Sequence, residues 1–274
     1  MAVKLNTKKS KSLTFDELNA YKVAYGGAMG AKELTYFVGL PAFLLGLFSF
    51  LLLYNGWVTG VCSVIGAIYG WRTLLPRVTI KRYEQEAFNQ RNKFLNNITQ
   101  VLTDDNQTVL MALDKVKIRA DGEFREDLKR FHAMLIGADD TGVRDAVIWF
   151  AEQYEDDVIF VQYLEQLETS MIEGKTNVET LKDIKSYHND IRKKQALYEA
   201  AKQGHLRDMR QLVIITAILI IALAVSFGFT TYLRVFARSI FGYISAGLYL
   251  TIMTVFFRQF LGYYFDDSVM EIRK

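Results

Sequence analysis

Three histidines, His132, His188 and His205, are the side chains best suited to metal binding or to proton transfer near neutral pH, and they lack ligand-like spacing. Each reads as an ordinary helix residue. The single cysteine, Cys62, lies inside an apolar run, which excludes an intrachain disulfide and a cysteine-based metal site. Gly26, Gly27 and Gly30 follow a helix-like segment without the Lys-Ser/Thr partner of a phosphate loop. Paired carboxylates, Asp139 with Asp140 and Asp156 with Asp157, stand at helix starts, where capping accounts for them. The chemistry these residues could do is therefore recognition rather than catalysis. The sequence predicts a protein that is not an enzyme and holds no cofactor and no metal. Any ATP it depends on must be hydrolysed by another protein.

The elements that must position these residues fall into two classes. Apolar runs extend from Tyr36 to Tyr54, Trp57 to Leu75, Leu212 to Leu233 and Ile240 to Phe257. Each is near the ~20 residues that cross ~30 Å of hydrocarbon as a helix. Asn55 and Gly56, a tight-turn pair, force the first two antiparallel, and the short basic link from Arg234 to Ser239 joins the second two. A mean hydropathy of +0.09 and a net charge of +3 hide this segregation, because a charged stretch between Arg72 and Gln211 offsets the apolar ends. The expected architecture is an all-α membrane protein, with two transmembrane helical hairpins flanking a cytoplasmic six-helix bundle. Its segments are an amino-terminal tail (1–35), a first hairpin (36–75), a helical domain (76–211), a second hairpin (212–257) and a carboxy-terminal tail (258–274).

Short flanks rich in Lys and Arg set the expected orientation. Lys4, Lys8, Lys9, Lys11, Lys22 and Lys32 precede the first run, and Arg72, Arg77, Lys81 and Arg82 end or follow the second. Lys202, Arg207 and Arg210 precede the third run, and Arg258, Arg273 and Lys274 follow the fourth. Both termini and the central domain should therefore be cytoplasmic in a cell-membrane protein. Arg234 and Arg238, in the outer link, conflict with that rule. The Lys-rich start has no adjacent apolar h-region and no small-residue cleavage site, so the first hairpin is the expected targeting signal. Inside the runs, up to Trp71 in the second, there is no Asp, Glu, Lys, Arg or His of the kind that marks ion paths, which disfavours a transporter. Small residues four apart do occur. Gly66 with Gly70 and Ala224 with Gly228 are the candidate helix-packing positions, beside Ala42 with Gly46 and Gly242 with Ala246.

Before the first run, Thr14 and Glu17 form a capping box, with Phe15, Leu18, Tyr21 and Tyr25 at helical spacing. This segment fits a helix on the membrane surface and a helix packed on the central domain equally well. The central domain reads as six helices: Arg82 to Leu102; a short one capped by Asn106; one after Asp121 ending at Gly137; one after Asp139; one ending at Gly174; and one capped by Asn177 that runs towards the third apolar run. From Asp104 to Asp190 there are 20 acidic and 10 basic side chains, while the rest of Arg72 to Gln211 has 12 basic and 4 acidic. The basic part suits anionic lipid. The acidic part, represented by Asp139, Asp140, Asp156 and Asp157, is either a docking face for a basic partner or a solvated capping surface, and it argues against direct nucleic-acid binding.

Glu173-Gly174, Asn177-Val178 with Leu181, and the tail from Arg192-Lys193-Lys194 through Ala196, Ala200 and Ala201 to Arg207 form a pattern that leads straight into an apolar helix. Across Val161 to Met209 this resembles the F-domain membrane platform proteins of type II secretion, type IV pilus and tight-adherence pilus systems. A single domain copy between two hairpins looks most like the tight-adherence branch. Departures are Asp104-Asp105-Asn106, where a Gly-containing turn is usual, and the more acidic turn from Asp139 to Gly142. The resemblance implies a platform that couples a cytoplasmic assembly ATPase to pilin-like subunits. Its partners would be a second platform protein or further copies of itself, together with membrane lipid. Two other readings compete: a membrane component of a conjugative or competence DNA-transfer apparatus, and a membrane sensor or transporter accessory, for which the outer links are too short to build a pocket.

Overall fold

Asn55 ends one apolar helix and starts the next. Tyr54 takes the left-handed conformation (φ 47°), and the Asn55 Oδ1 accepts a hydrogen bond from the Trp57 amide at 3.1 Å. In the computed structural model, which describes residues 14–104 and 106–265, every regular element is helical. In chain order these are α1 (Phe15–Tyr25), α2 (Ala31–Leu53), α3 (Gly56–Tyr69), α4 (Leu75–Leu102), α5 (Val109–Lys117), α6 (Gly122–Leu135), α7 (Asp140–Gln153), α8 (Val158–Glu173), α9 (Val178–Ser226), α10 (Phe229–Tyr232) and α11 (Ile240–Phe265). π-Helical turns at Gly70–Leu74 and Leu233–Ala237 adjoin α3 and α10. The predicted roles of Lys4, Lys8, Lys9, Lys11, Asp105, Arg273 and Lys274 fall outside the described residues.

Four helical stretches are long and apolar enough to cross a membrane: Ala31–Leu53, Gly56–Leu102, Val178–Ser226 and Ile240–Phe265. The ends of the second and third predicted runs change. The second run does not stop at Leu75 but continues through the π turn into α4. Proline at position 76 removes one backbone donor and crowds the carbonyl four residues earlier, and a π turn immediately before it is one way a helix absorbs that defect. The third run ends at Ser226 rather than Leu233, because Gly228 adopts φ +76° and the chain turns. In the acidic domain Thr108, not Asn106, caps α5, accepting from the Met111 amide at 3.3 Å. The capping box of Thr14 and Glu17 is present, with Thr14 N donating to Glu17 Oε2 at 2.8 Å.

The chain forms two compact units. The first holds residues 28–81 and 201–265 together with the start of α1. Within it α2 packs on α3, and a small apolar cluster gathers Phe48, Leu52 and Leu53 of α2, Ile220 of α9 and Ala246 of α11. The second unit holds residues 23–27 and 82–200. Its core is aromatic at the centre: Phe94, Phe124, Phe131, Phe150 and Phe160 are at most 2% exposed and meet edge-on or stacked at 4.5–6.0 Å. Tyr25, the last residue of α1, belongs to this unit and packs against the core, its ring 5.4 Å from that of Tyr83. At this end, α1 is a helix docked on the central domain.

α2 and α3 approach closely for a reason written in three residues. Pro41 lies inside α2 and has no amide hydrogen to donate to the Phe37 carbonyl. Opposite that place α3 and the π turn after it present glycine. A Cβ on Gly70 would sit 2.5 Å from the Phe37 oxygen, and one on Gly66 would sit 2.5 Å from the Pro41 oxygen and 2.9 Å from the Ala42 Cα. Gly66→Val should therefore force the two helices apart and lower the thermal midpoint of the detergent-solubilised protein, by an amount equivalent to about 1–3 kcal/mol. Gly60→Val, on the same helix with nothing within 4 Å, should leave the midpoint unchanged.

Candidate functional site

Asp157 ends the turn between α7 and α8, and the structure puts its carboxylate inside the second unit, with the side chain 8% exposed. Oδ1 caps α8, accepting from the Phe160 amide at 3.1 Å. Oδ2 receives Arg91 Nε of α4 at 2.7 Å and lies 3.3 Å from His188 Nε2 of α9. Burial alone would raise this carboxyl, but the hydrogen bond from His188 and the charge of Arg91 outweigh it and hold the group well below the usual carboxylate range. Arg91 is itself flanked by the rings of Tyr154 and Phe88, at 5.4 and 5.8 Å.

The hydrogen-bonding roles of the two His188 ring nitrogens follow from their neighbours. Arg192 can only donate, and its Nη1 lies 3.1 Å from Asn92 Oδ1, which fixes which end of the Asn92 amide is oxygen. The Asn92 Nδ2 must then donate, to His188 Nδ1 and to Asn189 Oδ1, both at 2.9 Å. His188 Nδ1 is thus an acceptor, and the hydrogen sits on Nε2, facing Asp157. Asn96 completes the set, donating to Asn189 Oδ1 at 2.9 Å and accepting from Asn189 Nδ2 at 3.0 Å. The result is a closed polar network between α4, the α7–α8 turn and α9. An imidazole backed by a carboxylate has the parts of a general base. Here both ring nitrogens are engaged and His188 is 0% exposed, with Phe88 stacked on it at 4.5 Å. The pair serves to hold helices in register.

The four acidic residues proposed as a docking set do not form one surface. Asp139 caps α7 and is exposed, accepting from Gly142 N and Thr141 Oγ1 at 2.9 Å each. The Gly142 hydrogen bond, then that of Thr141, lowers its carboxyl below the ordinary value. Asp140 follows it on the same exposed rim. Asp156 is exposed at the other end of α7, about 20 Å of helix away. Asp157 is turned inward and is committed to Arg91 and His188, so it leaves the set. Of the packing positions, Gly66 and Gly70 meet α2, and Ala224 is buried against Tyr232 and Ala237. Gly228 is a turn glycine rather than a helix contact. His132 lies on α6 beside Lys117 and Asp114, and His205 is exposed on α9. Among the described residues no group of three His, Cys, Asp or Glu could hold a metal ion.

Over 267 residues the chain is 45% identical to uncharacterized protein pXO2-23 of Bacillus anthracis, an alignment that covers 97% of this chain and 96% of that protein. The chain belongs to the pXO2-23 family. No family model matches the chain, and no solved structure matches it. Because the match to pXO2-23 covers nearly both chains, it takes in the apolar helices and the acidic domain alike.

Of the network residues, sequence reasoning took His188 for an ordinary helix residue and Arg192 for part of a basic tail, and it did not single out Asn92, Asn96 or Asn189. A signal was present. Asn92 and Asn96 are four apart on a helix whose apolar stripe includes Phe88 and Leu95. His188 and Arg192 are four apart on a helix whose apolar stripe includes Ile184 and Ile191. Polar pairs at core spacing on two separate stripes suggest partners for each other.

Proposed function

We propose that this member of the pXO2-23 family is a non-enzymatic platform of the cell membrane, in which two helical hairpins anchor a cytoplasmic helical bundle. It receives movement from a cytoplasmic assembly ATPase and passes it to pilin-like subunits in the membrane. The observation that carries this reading is the continuity of two helices. Gly56–Leu102 and Val178–Ser226 each combine an apolar stretch fit for a bilayer with a stretch belonging to the acidic domain. A displacement of the polar part of α9 is carried along the same backbone into its apolar part, with Gly204 the only glycine on the way. The Asp157 network supports the same reading, since it ties α4 to α9 within the acidic unit. The resemblance of the sequence pattern from Val161 to Met209 to F-domain platform proteins supports the choice of machine class.

The test is crosslinking of the tagged full-length protein in its native membranes, with partners identified by mass spectrometry. Recovery of a secretion-type ATPase and pilin-like subunits supports the platform. Recovery of DNA-transfer proteins replaces it with a conjugative or competence role, and absence of any ATPase with several crosslinkers rejects it. The acidic rim is tested in the same membranes. Neutralising Asp139, Asp140 and Asp156 together should weaken ATPase capture at least several-fold while leaving the thermal midpoint unchanged. Unaltered capture would remove the rim from the docking surface.

A further inference from the structure

The segment between α9 and α11 is built as more than a connection. After the Gly228 turn, α10 and the π turn Leu233–Ala237 give residues 229–237 a helical path, and Ser239 Oγ then accepts from the Gly242 amide at 3.1 Å to start α11. One side of this path is fastened to the first helix pair. The Tyr232 hydroxyl donates to the Leu52 carbonyl at 2.9 Å in a buried bond, and Tyr54 meets Phe229 and Tyr232 edge-on at 5.1 and 6.2 Å. Asn55 Nδ2 donates to the Tyr243 hydroxyl at 2.9 Å. Both helix-pair turns therefore lie at the same end of the first unit.

The other side of the segment faces outward and mixes two kinds of group. Val235, Ile240 and Phe241 are 67–83% exposed, and Phe227 and Phe229 are exposed beside them. Arg234 and Arg238, four residues apart, are exposed among these apolar side chains. No Asp or Glu occurs from residue 34 to 83 or from 209 to 265. Glu33, Glu84 and Asp208 are the described carboxylates that border those stretches, and each lies roughly 27 Å or more of helix axis from this end. Among the described residues neither arginine has an ion-pair partner. An exposed pair of guanidinium groups set among apolar side chains, with no carboxylate on them among the described residues, suits an anion supplied by the membrane surface.

We infer that residues 227–241 form an interfacial segment lying in the headgroup layer, with the phosphates of phospholipids held by Arg234 and Arg238 while Phe227, Phe229, Val235, Ile240 and Phe241 enter the acyl boundary. The inference rests on the membrane reading of the first unit and adds to it a lipid site. It also removes the charge conflict of the link, because an arginine held at headgroup depth by apolar neighbours and lipid phosphate is an anchor rather than a translocated loop charge.

The full-length protein, in a Cys62→Ser background with a nitroxide on Val235→Cys, is placed in vesicles of phosphatidylcholine with phosphatidylglycerol. Label depth is read from oxygen and nickel-chelate accessibility. Phosphatidylglycerol retained through detergent extraction is read by native mass spectrometry for the unlabelled protein. The label should lie at the headgroup–acyl boundary. Arg234→Gln with Arg238→Gln should cut lipid retention by roughly fivefold or more, Arg234→Lys with Arg238→Lys should preserve most of it, and Arg258→Gln, on the far part of α11, should preserve it fully. A label as water-accessible as one on exposed Asp145→Cys, or retention indifferent to the double glutamine variant, overturns the proposal. Release of the protein from vesicles by alkaline carbonate would instead show that the membrane reading itself had failed.

Discussion

Asp157→Asn should lower the stability of the acidic domain by about 3–5 kcal/mol, the range for breaking a buried ion pair on one side. Asparagine keeps the shape and caps helices as well as aspartate does, so the start of α8 is preserved and the loss isolates the charge. What remains is Arg91, 13% exposed, with no counter-ion at 2.7 Å, and His188 facing an amide. Asp156→Asn, one residue away and exposed, should change stability by less than ~0.5 kcal/mol. Hydrogen exchange of the cores of α4, α8 and α9 in the full-length protein measures both. The pH dependence has a definite sign. Asp157 is held below its unfolded value in the folded protein, so its contribution is complete above the ordinary carboxyl range and is lost as pH falls towards the depressed folded value. The gap between wild type and Asp157→Asn should therefore be constant near neutrality and begin to close below about pH 4. A gap that stays constant down to pH 3 would show that the carboxylate charge is not what stabilises the junction.

Gly122→Ala should release the end of α1 from the domain. Gly122 has φ +62°, and a Cβ there would stand 2.1 Å from the Ala24 oxygen and 2.6 Å from the Tyr25 ring. The left-handed conformation alone costs an alanine about 1–2 kcal/mol. Gly137→Ala supplies the control, since its φ is +73° and nothing lies within 4 Å. Gly137→Ala should lower the thermal midpoint by that backbone cost only. Gly122→Ala should lower it by at least ~1 kcal/mol more. It should also make the chain after Tyr25 the first site of limited proteolysis, because Tyr25 would leave its place against the core and the ring of Tyr83. Equal effects of the two variants would mean that α1 holds on without the Gly122 seat.

The helices were legible because their signals are local. Thr14 with Glu17, Asn55, Asp139 and Asn177 cap where their side-chain chemistry says they should, and Gly137 and Gly174 take the positive φ that ends a helix. The failures came from residues whose meaning depends on something distant. Gly228 sits in an apolar run with a small residue four positions earlier, a pattern that fits a packing helix or a turn, and only the attachment of Tyr232 to Leu52 decides between them. Asp156 and Asp157 are identical in type and adjacent, yet one faces water and the other faces Arg91, 66 positions away in the chain, and His188, 31 positions away. Periodicity identifies a face but not its partner. The asparagines at 92, 96 and 189 drew no notice for the same reason: each is polar, and a group that satisfies it lies on another helix more than 90 residues off.

The bond from Tyr232 to the Leu52 carbonyl also says something about order of manufacture. Leu52 is in the last turn of α2, where a carbonyl has no partner within its own helix, and its donor arrives 180 residues later. At ribosomal speeds of about 5–20 residues per second, the first helix pair waits roughly 9–36 seconds before that acceptor can be closed from within the chain. Throughout that interval the pair is a nascent-chain intermediate with an open edge, and the final helices complete it as a late-arriving clasp. Ribosome-bound chains halted before residue 232 would display the first pair in its unclasped form.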